Sequence, residues 1–74
     1  MAKRKAIELR QVGVPEGLNR SPYYTPMGRL ANGRLSAGFG GTESYARRAA
    51  RRMEREGRYD EVWIELSWCA GIGV

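Results

Sequence analysis

Residues 61–70, with the sequence EVWIELSWCA, decide the fold because their polarity alternates with a period of two. One side of the alternation is apolar and consists of Val62, Ile64, Leu66 and Trp68. The other side is mostly polar and consists of Glu61, Trp63, Glu65 and Ser67. Successive side chains of a strand lie on opposite faces of a sheet. The pattern therefore predicts a half-buried β-strand over residues 61–70.

A helix is predicted immediately before this strand, between Thr42 and Gly57. Thr42 is a favourable N-cap, Glu43 suits the positive end of the helix dipole, and Gly57 can close the helix in a left-handed conformation. The apolar positions of this helix, with Tyr45 at their margin, are Ala46, Ala49, Ala50 and Met53. This narrow face of mostly small side chains would let the helix lie close to a sheet.

A hairpin is predicted before the helix, because Asn32-Gly33 separates residues 28–31 from residues 34–39. Asn-Gly favours a two-residue type I′ turn, in which both central residues have positive φ. A first strand is predicted over residues 6–14, with Ile7, Leu9, Val12 and Val14 as its apolar members. The alternation slips between the second and third of these residues, which indicates a bulge or an early end of the strand.

The segment from Gly13 to Gly28 is predicted to be a long loop. It contains all three prolines of the chain, and the residue before a proline is biased away from the helix. Tyr23 and Tyr24 lie near its end, either as binding anchors or as a lid over the core.

These elements predict an α+β fold, with a small, mainly antiparallel sheet of three or four strands and one helix packed on one face. The order is β-β-β-α-β. With 74 residues, the chain is predicted to form a single domain over 1–74. Residues 1–5 are predicted to be a basic tail and residues 71–74 a flexible tail.

The composition argues against catalysis and against a bound metal or cofactor. The chain has no histidine, which is the commonest proton-transfer residue and metal ligand. Cys69 is the only cysteine and is interpreted as a structural residue in a reducing compartment. No signal peptide or membrane-spanning run is recognisable, so a cytoplasmic location without membrane partners is predicted.

The charge of the chain is +5, and eleven of its thirteen basic residues are arginine. Arginine pairs with carboxylate and phosphate alike, so an acidic protein surface or a nucleic acid is predicted as partner. A solvated helix surface, or the codon bias of a GC-rich genome, is the alternative. Six arginines are predicted opposite the alanine face: Arg47, Arg48, Arg51, Arg52, Arg55 and Arg58. Expected ion pairs within the helix are Glu43 with Arg47, Glu54 with Arg58 and Glu56 with Arg52.

Trp63 is predicted on the sheet face opposite the helix. Two hypotheses fit this position: an exposed hot spot or homodimer seam, and an indole covered by the long loop. The segment from Gly38 to Thr42 leads from a strand into a helix, but it lacks the glycine patterns of nucleotide-binding loops.

Residues Gly33 to Gly57 combine a hairpin strand, a glycine-threonine entry and a helix rich in arginine and alanine. This segment resembles the arm-site DNA-binding domains of phage integrases, which implies DNA binding. In size and layout, the whole chain looks like the accessory proteins of phages and mobile elements, including anti-CRISPR inhibitors. That resemblance implies a protein that occupies a surface of a host complex.

The sequence therefore predicts a small non-enzymatic protein, monomeric or homodimeric, that stoichiometrically occludes an acidic surface of a host protein or nucleoprotein. The alternative is a small basic DNA-binding accessory protein. The predicted partner-binding residues are Arg47, Arg48, Arg51, Arg52, Arg55, Arg58, Trp63, Tyr23 and Tyr24.

Overall fold

The computed structural model describes residues 6–13 and 20–70. Its elements are β1 (Glu8–Gln11), β2 (Arg20–Leu30), β3 (Leu35–Ala37), α1 (Glu43–Glu56) and β4 (Tyr59–Ala70). The strands form one sheet in the order β1-β4-β2-β3. β1 is parallel to β4, and the other two pairings are antiparallel. The predicted α+β class, the mainly antiparallel sheet and the helix on one face are confirmed. The predicted tails at 1–5 and 71–74, and the side chain of Cys69, lie outside the described residues.

β4 is an inner strand that pairs with both β1 and β2, and its apolar side faces α1. The hydrophobic core at this interface consists of Ile7, Ala46, Ala50 and Ile64, with Tyr24 and Val62 packed against it. Both alanines are completely buried. Their small side chains bring the helix close to the sheet, as the alanine face predicts. β1 ends at Gln11, so the slip in its alternation corresponds to an early strand end.

Both ends of α1 follow the predicted chemistry. The side chain of Thr42 accepts a hydrogen bond from the backbone N–H of Tyr45, at 3.3 Å. Gly57 follows the helix with a φ of 77°, and its N–H donates to the carbonyl oxygen of Glu54. Both caps satisfy backbone groups that have no partner within the helix.

The predicted loop from Gly13 to Gly28 is wrong over its second half, because β2 begins at Arg20 and contains Pro22 and Pro26. The N–H and carbonyl of Tyr24 both bond Gly41, on the β3 side of β2. Residues two apart along a strand direct their backbone to the same side. The N–H that each proline lacks would therefore point to the β3 side, where only a few residues of β2 are paired. The hydrogen bonds between β2 and β4 lose no donor. Pro15, in the first half of the predicted loop, lies outside the described residues.

The hairpin between β2 and β3 is confirmed, but its predicted two-residue type I′ turn is wrong. Among the described residues only glycines have positive φ, and in this turn that residue is Gly33, at 88°. The carbonyl oxygen of Leu30 accepts from the N–H of Gly33, and the N–H of Leu30 donates to the carbonyl oxygen of Arg34. The loop therefore has three residues and is closed by a left-handed glycine. The side chain of Asn32 accepts from the N–H of Arg34 at 3.0 Å, so asparagine stabilises the turn without positive φ.

Gly28 lies in β2 where the sheet meets the end of α1. A Cβ atom at this position would lie 2.6 Å from Cδ1 of Tyr59 and 2.9 Å from Cε of Met53. Glycine is therefore required here for close packing and not for its backbone conformation.

The Gly28→Ala variant is expected to lower the free energy of unfolding by about 1–3 kcal/mol, because the Tyr59 ring and Met53 have to move. Urea denaturation followed by circular dichroism measures this loss. Gly40→Ala is the matched control, because its Cβ would meet the ring of Tyr23, which is exposed and can rotate away. An equal loss in both variants would contradict the packing role of Gly28.

Candidate partner-binding surface

The helix displays five of the six predicted arginines; the sixth, Arg58, lies beyond its end. The prediction that Arg58 belongs to the helix face is corrected, because Gly57 ends the helix. The guanidinium of Arg58 lies over the ring of Tyr59, with its Cζ 5.2 Å from the ring centroid. It also pairs with Glu56 at 3.0 Å.

Two helical arginines are neutralised by carboxylates within the helix. Arg47 pairs with Glu43 at 2.7 Å, as predicted, and Arg51 pairs with Glu54 at 2.9 Å. The predicted pair of Glu54 with Arg58 is wrong, because the chain leaves the helix before it reaches position 58. Exposed ion pairs of this kind contribute about 0–1 kcal/mol each.

Three helical arginines, Arg48, Arg52 and Arg55, remain without an ion pair to any described residue; we call them the arginine stripe. The predicted pair of Arg52 with Glu56 does not form, since Glu56 pairs with Arg58. At about 100° per residue, spacings of four and three place the stripe within a wedge of about 60° on the helix. All three residues are exposed. The stripe is therefore a compact positive surface whose charge is not neutralised by any carboxylate of the described residues.

Trp63 is buried, with 3% of its surface exposed, so the exposed hot-spot hypothesis is corrected. The guanidinium carbons of Arg10 and Arg29 lie 4.3 Å and 5.5 Å from the centroid of its ring. Glu61 forms ion pairs with both arginines, at 2.7 Å to Arg29. The indole is covered by Arg10 of β1 and Arg29 of β2, and neither residue belongs to the segment from Gly13 to Gly28 that the alternative hypothesis gave as the cover.

The sheet face around Trp63 carries little net charge. By strand alternation and register, its ionic residues are Glu8, Arg10, Arg29, Glu61 and Glu65. The pKa of Arg10 is raised above its ordinary value, mainly by its hydrogen bond to Glu8 and further by Glu61, so this guanidinium stays charged. Because the opposite charges nearly balance, the positive potential of the described domain lies on the helix and not on the open sheet face.

Tyr23 and Tyr24 lie on opposite faces of β2 and cannot act as one binding pair. Tyr24 is half-buried and packs against the core, as the lid hypothesis predicts, although from a strand. Tyr23 is 41% exposed on the open face. Its ring lies against Gly40, whose Cβ would come within 2.4 Å of it.

A groove that the sequence did not predict lies beside the stripe, between α1 and β3. Its volume is about 270 Å³, and it is lined on the helix side by Tyr45, Ala49, Arg52, Met53 and Glu56 and on the other side by residues 36–39 and 58–59. Phe39, which lines it, is 87% exposed. Leu35 is 58% exposed on the open face of the sheet, because it pairs in register with Arg29. Their exposure depends on which strand becomes the sheet edge, and this position cannot be read from the local sequence.

Among residues 6–13 and 20–70, no group of three or more acidic, histidine or cysteine side chains is placed to hold a metal ion. No helix in the same part of the chain has the length and apolarity needed to cross a membrane. Neither protein-family models, nor curated proteins, nor solved structures give a match to this chain. The resemblances to phage accessory proteins and integrase arm-site domains stay predictions.

Proposed function

We propose that this chain is a small non-enzymatic binding protein that stoichiometrically covers an acidic surface of a larger protein or nucleoprotein. The arginine stripe carries the proposal. Three adjacent guanidiniums that no carboxylate of the described residues pairs with repel one another, by up to about 0.5 kcal/mol per pair in an isolated helix. A partner that supplies carboxylates or phosphates relieves this repulsion and forms charge-assisted hydrogen bonds.

The distribution of charge supports the helix as the contact surface. The other arginine cluster, Arg10 and Arg29 at Trp63, is already neutralised by Glu8 and Glu61 and lies over a buried indole. Of the residues predicted for binding, the stripe is the part whose charge is still available. Trp63 and Tyr24 act in packing, and Arg47, Arg51 and Arg58 hold internal ion pairs.

An inhibitor of the anti-CRISPR kind fits this proposal, since it acts by occupying a surface and requires no reactive group. A cytoplasmic host complex would be its target. Direct DNA binding through the same stripe is the competing function, because guanidinium recognises phosphate as readily as carboxylate. The groove beside the stripe, with exposed Phe39, favours a protein partner, since protein interfaces combine apolar and arginine contacts.

The test is an affinity capture from a lysate of host cells, with and without nuclease. Baits are the native chain and a variant with all three stripe arginines changed to glutamate. We expect a protein that is captured at a one-to-one ratio by the native bait, survives nuclease and is lost with the variant. Capture that nuclease abolishes would instead support DNA binding, and equal capture by both baits would contradict the proposal.

A further inference from the structure

The outer edge of β3 has backbone groups that no described residue pairs. β3 ends the sheet, and the bonds to β2 that flank it come from Arg34, whose carbonyl accepts from Leu30 at 2.8 Å, and from Gly38, whose N–H donates to Pro26 at 2.9 Å. Consecutive residues direct their backbone groups to opposite sides of a strand. Leu35 and Ala37 therefore point their N–H and carbonyl groups away from the sheet.

This edge is open from the helix side as well. In the described part of the chain, α1 packs on β2 and β4 and makes no contact with β3. The groove of about 270 Å³ occupies the space that the helix leaves, with Tyr45 on one wall and Phe39 on the other. A strand added beside β3 would direct every second side chain into this groove.

The charge at the groove determines which kind of peptide can bind beside β3. Arg52 lines it and has no carboxylate partner in the described residues, whereas Arg58 and Glu56, which also line it, neutralise each other at 3.0 Å. The rest of the arginine stripe continues along the same helix. An incoming side chain with a carboxylate would meet Arg52 first.

We propose that the edge of β3 binds an extended, acidic peptide segment of the partner protein as a fifth strand of the sheet. This inference rests on the proposed function and names the chemistry of its partner. Backbone hydrogen bonds to Leu35 and Ala37 hold the segment. Its apolar side chains contact Leu35 on the open face of the sheet, and its carboxylates enter the groove and pair with Arg52. Strand addition at an exposed edge is a recurrent mode of peptide recognition.

Two other occupants fit this edge less well. A second copy of β3 would bring residues 34–39, which contain no acidic residue, against Arg52 and would place the two arginine stripes close together. A nucleic acid would meet the stripe but would leave the backbone groups of β3 and the apolar groove unused.

The probe is a fluorescein-labelled nine-residue peptide in which glutamate alternates with valine, measured by fluorescence anisotropy at low salt. Its controls are the same sequence with lysine in place of glutamate and the same sequence N-methylated at alternate backbone positions. The protein variants are Ala37→Pro, which removes an outward N–H and leaves the bonds to β2, and Ala37→Val, which keeps the N–H. Circular dichroism checks that each variant is folded.

We expect the glutamate peptide to bind at least about tenfold more tightly than either control peptide, and Ala37→Pro to lose about tenfold where Ala37→Val does not. Equal binding of the N-methylated peptide overturns the strand-addition mode, even if Ala37→Pro does not fold. Self-association that Ala37→Pro abolishes, or binding of a DNA duplex in place of the peptide, overturns the acidic-peptide assignment. If capture of the partner is lost with the stripe variant but not with Ala37→Pro, the inference fails while the proposed function stands.

Discussion

Replacing Trp63 with alanine is expected to lower the free energy of unfolding by about 3–5 kcal/mol. The indole is 3% exposed, in the middle of the longest strand, and its removal leaves a cavity beneath Arg10 and Arg29. The two cation–π contacts add about 0.5–1 kcal/mol each at partly exposed sites. Small domains are stable by about 5–15 kcal/mol, so this loss leaves little margin. Urea denaturation followed by far-UV circular dichroism measures it.

Phe39→Ala is the matched control, because this aromatic side chain is 87% exposed and its removal should change stability by no more than about 0.5 kcal/mol. Trp63→Phe should retain most of the stability. It keeps a ring under the guanidiniums and removes the indole Nε1, a buried donor with no partner in the described residues. If Trp63→Ala cost no more than Phe39→Ala, the indole would be an exposed surface residue, as one of the two sequence hypotheses has it.

Local patterns predicted the elements whose interactions are local. The caps at Thr42 and Gly57 need only neighbouring residues, so both ends of the helix follow from the sequence. The alternation of β4 predicted its helix-facing side for the same reason. The burial of its polar side could not be predicted locally, because the environment of Trp63 depends on Arg10 and Arg29. These residues reach the indole only through the pairing of β4 with β1 and β2.

The part of β2 over residues 20–27 was missed because proline is usually evidence against a strand. Pro22 and Pro26 are compatible with one only because their positions face the short β3 side of the sheet. That condition depends on strand order, which no local rule supplies. The groove was missed for the same reason, since it exists only where α1 lies over β2 and β4 and leaves β3 uncovered.

The charge pattern was predicted in part. The sequence indicated six arginines on one side of the domain, and their exposure follows from the alanine face opposite them. Which arginines are neutralised depends on the rotamers and on where the helix ends. Arg51 forms an ion pair with Glu54. Arg58 lies beyond Gly57 and forms an ion pair with Glu56. The set of residues that we propose for binding therefore narrows to the three residues of the arginine stripe.

Changing Arg48, Arg52 and Arg55 together to glutamate is expected to weaken binding of the acidic partner at least about 100-fold. Each guanidinium that pairs with a charged group in the complex contributes about 1.5–3 kcal/mol, and each 1.4 kcal/mol is a factor of ten in affinity. The fold should survive, because all three side chains are exposed and have no ion pair to break in the described residues. Calorimetric titration measures the affinity, and thermal unfolding by circular dichroism checks the fold.

A second triple variant separates the position of the charges from their number. Changing Arg34, Arg47 and Arg51 to glutamate lowers the net charge from +5 by the same six units, but it spares both the stripe and Arg58, which lines the groove. We expect this control to reduce the association rate through the loss of long-range attraction and to leave the dissociation rate nearly unchanged. The stripe variant should instead dissociate much faster, since its contacts are lost. Equal losses in both variants would mean that the partner responds to total charge, and the stripe would then have no specific role in binding.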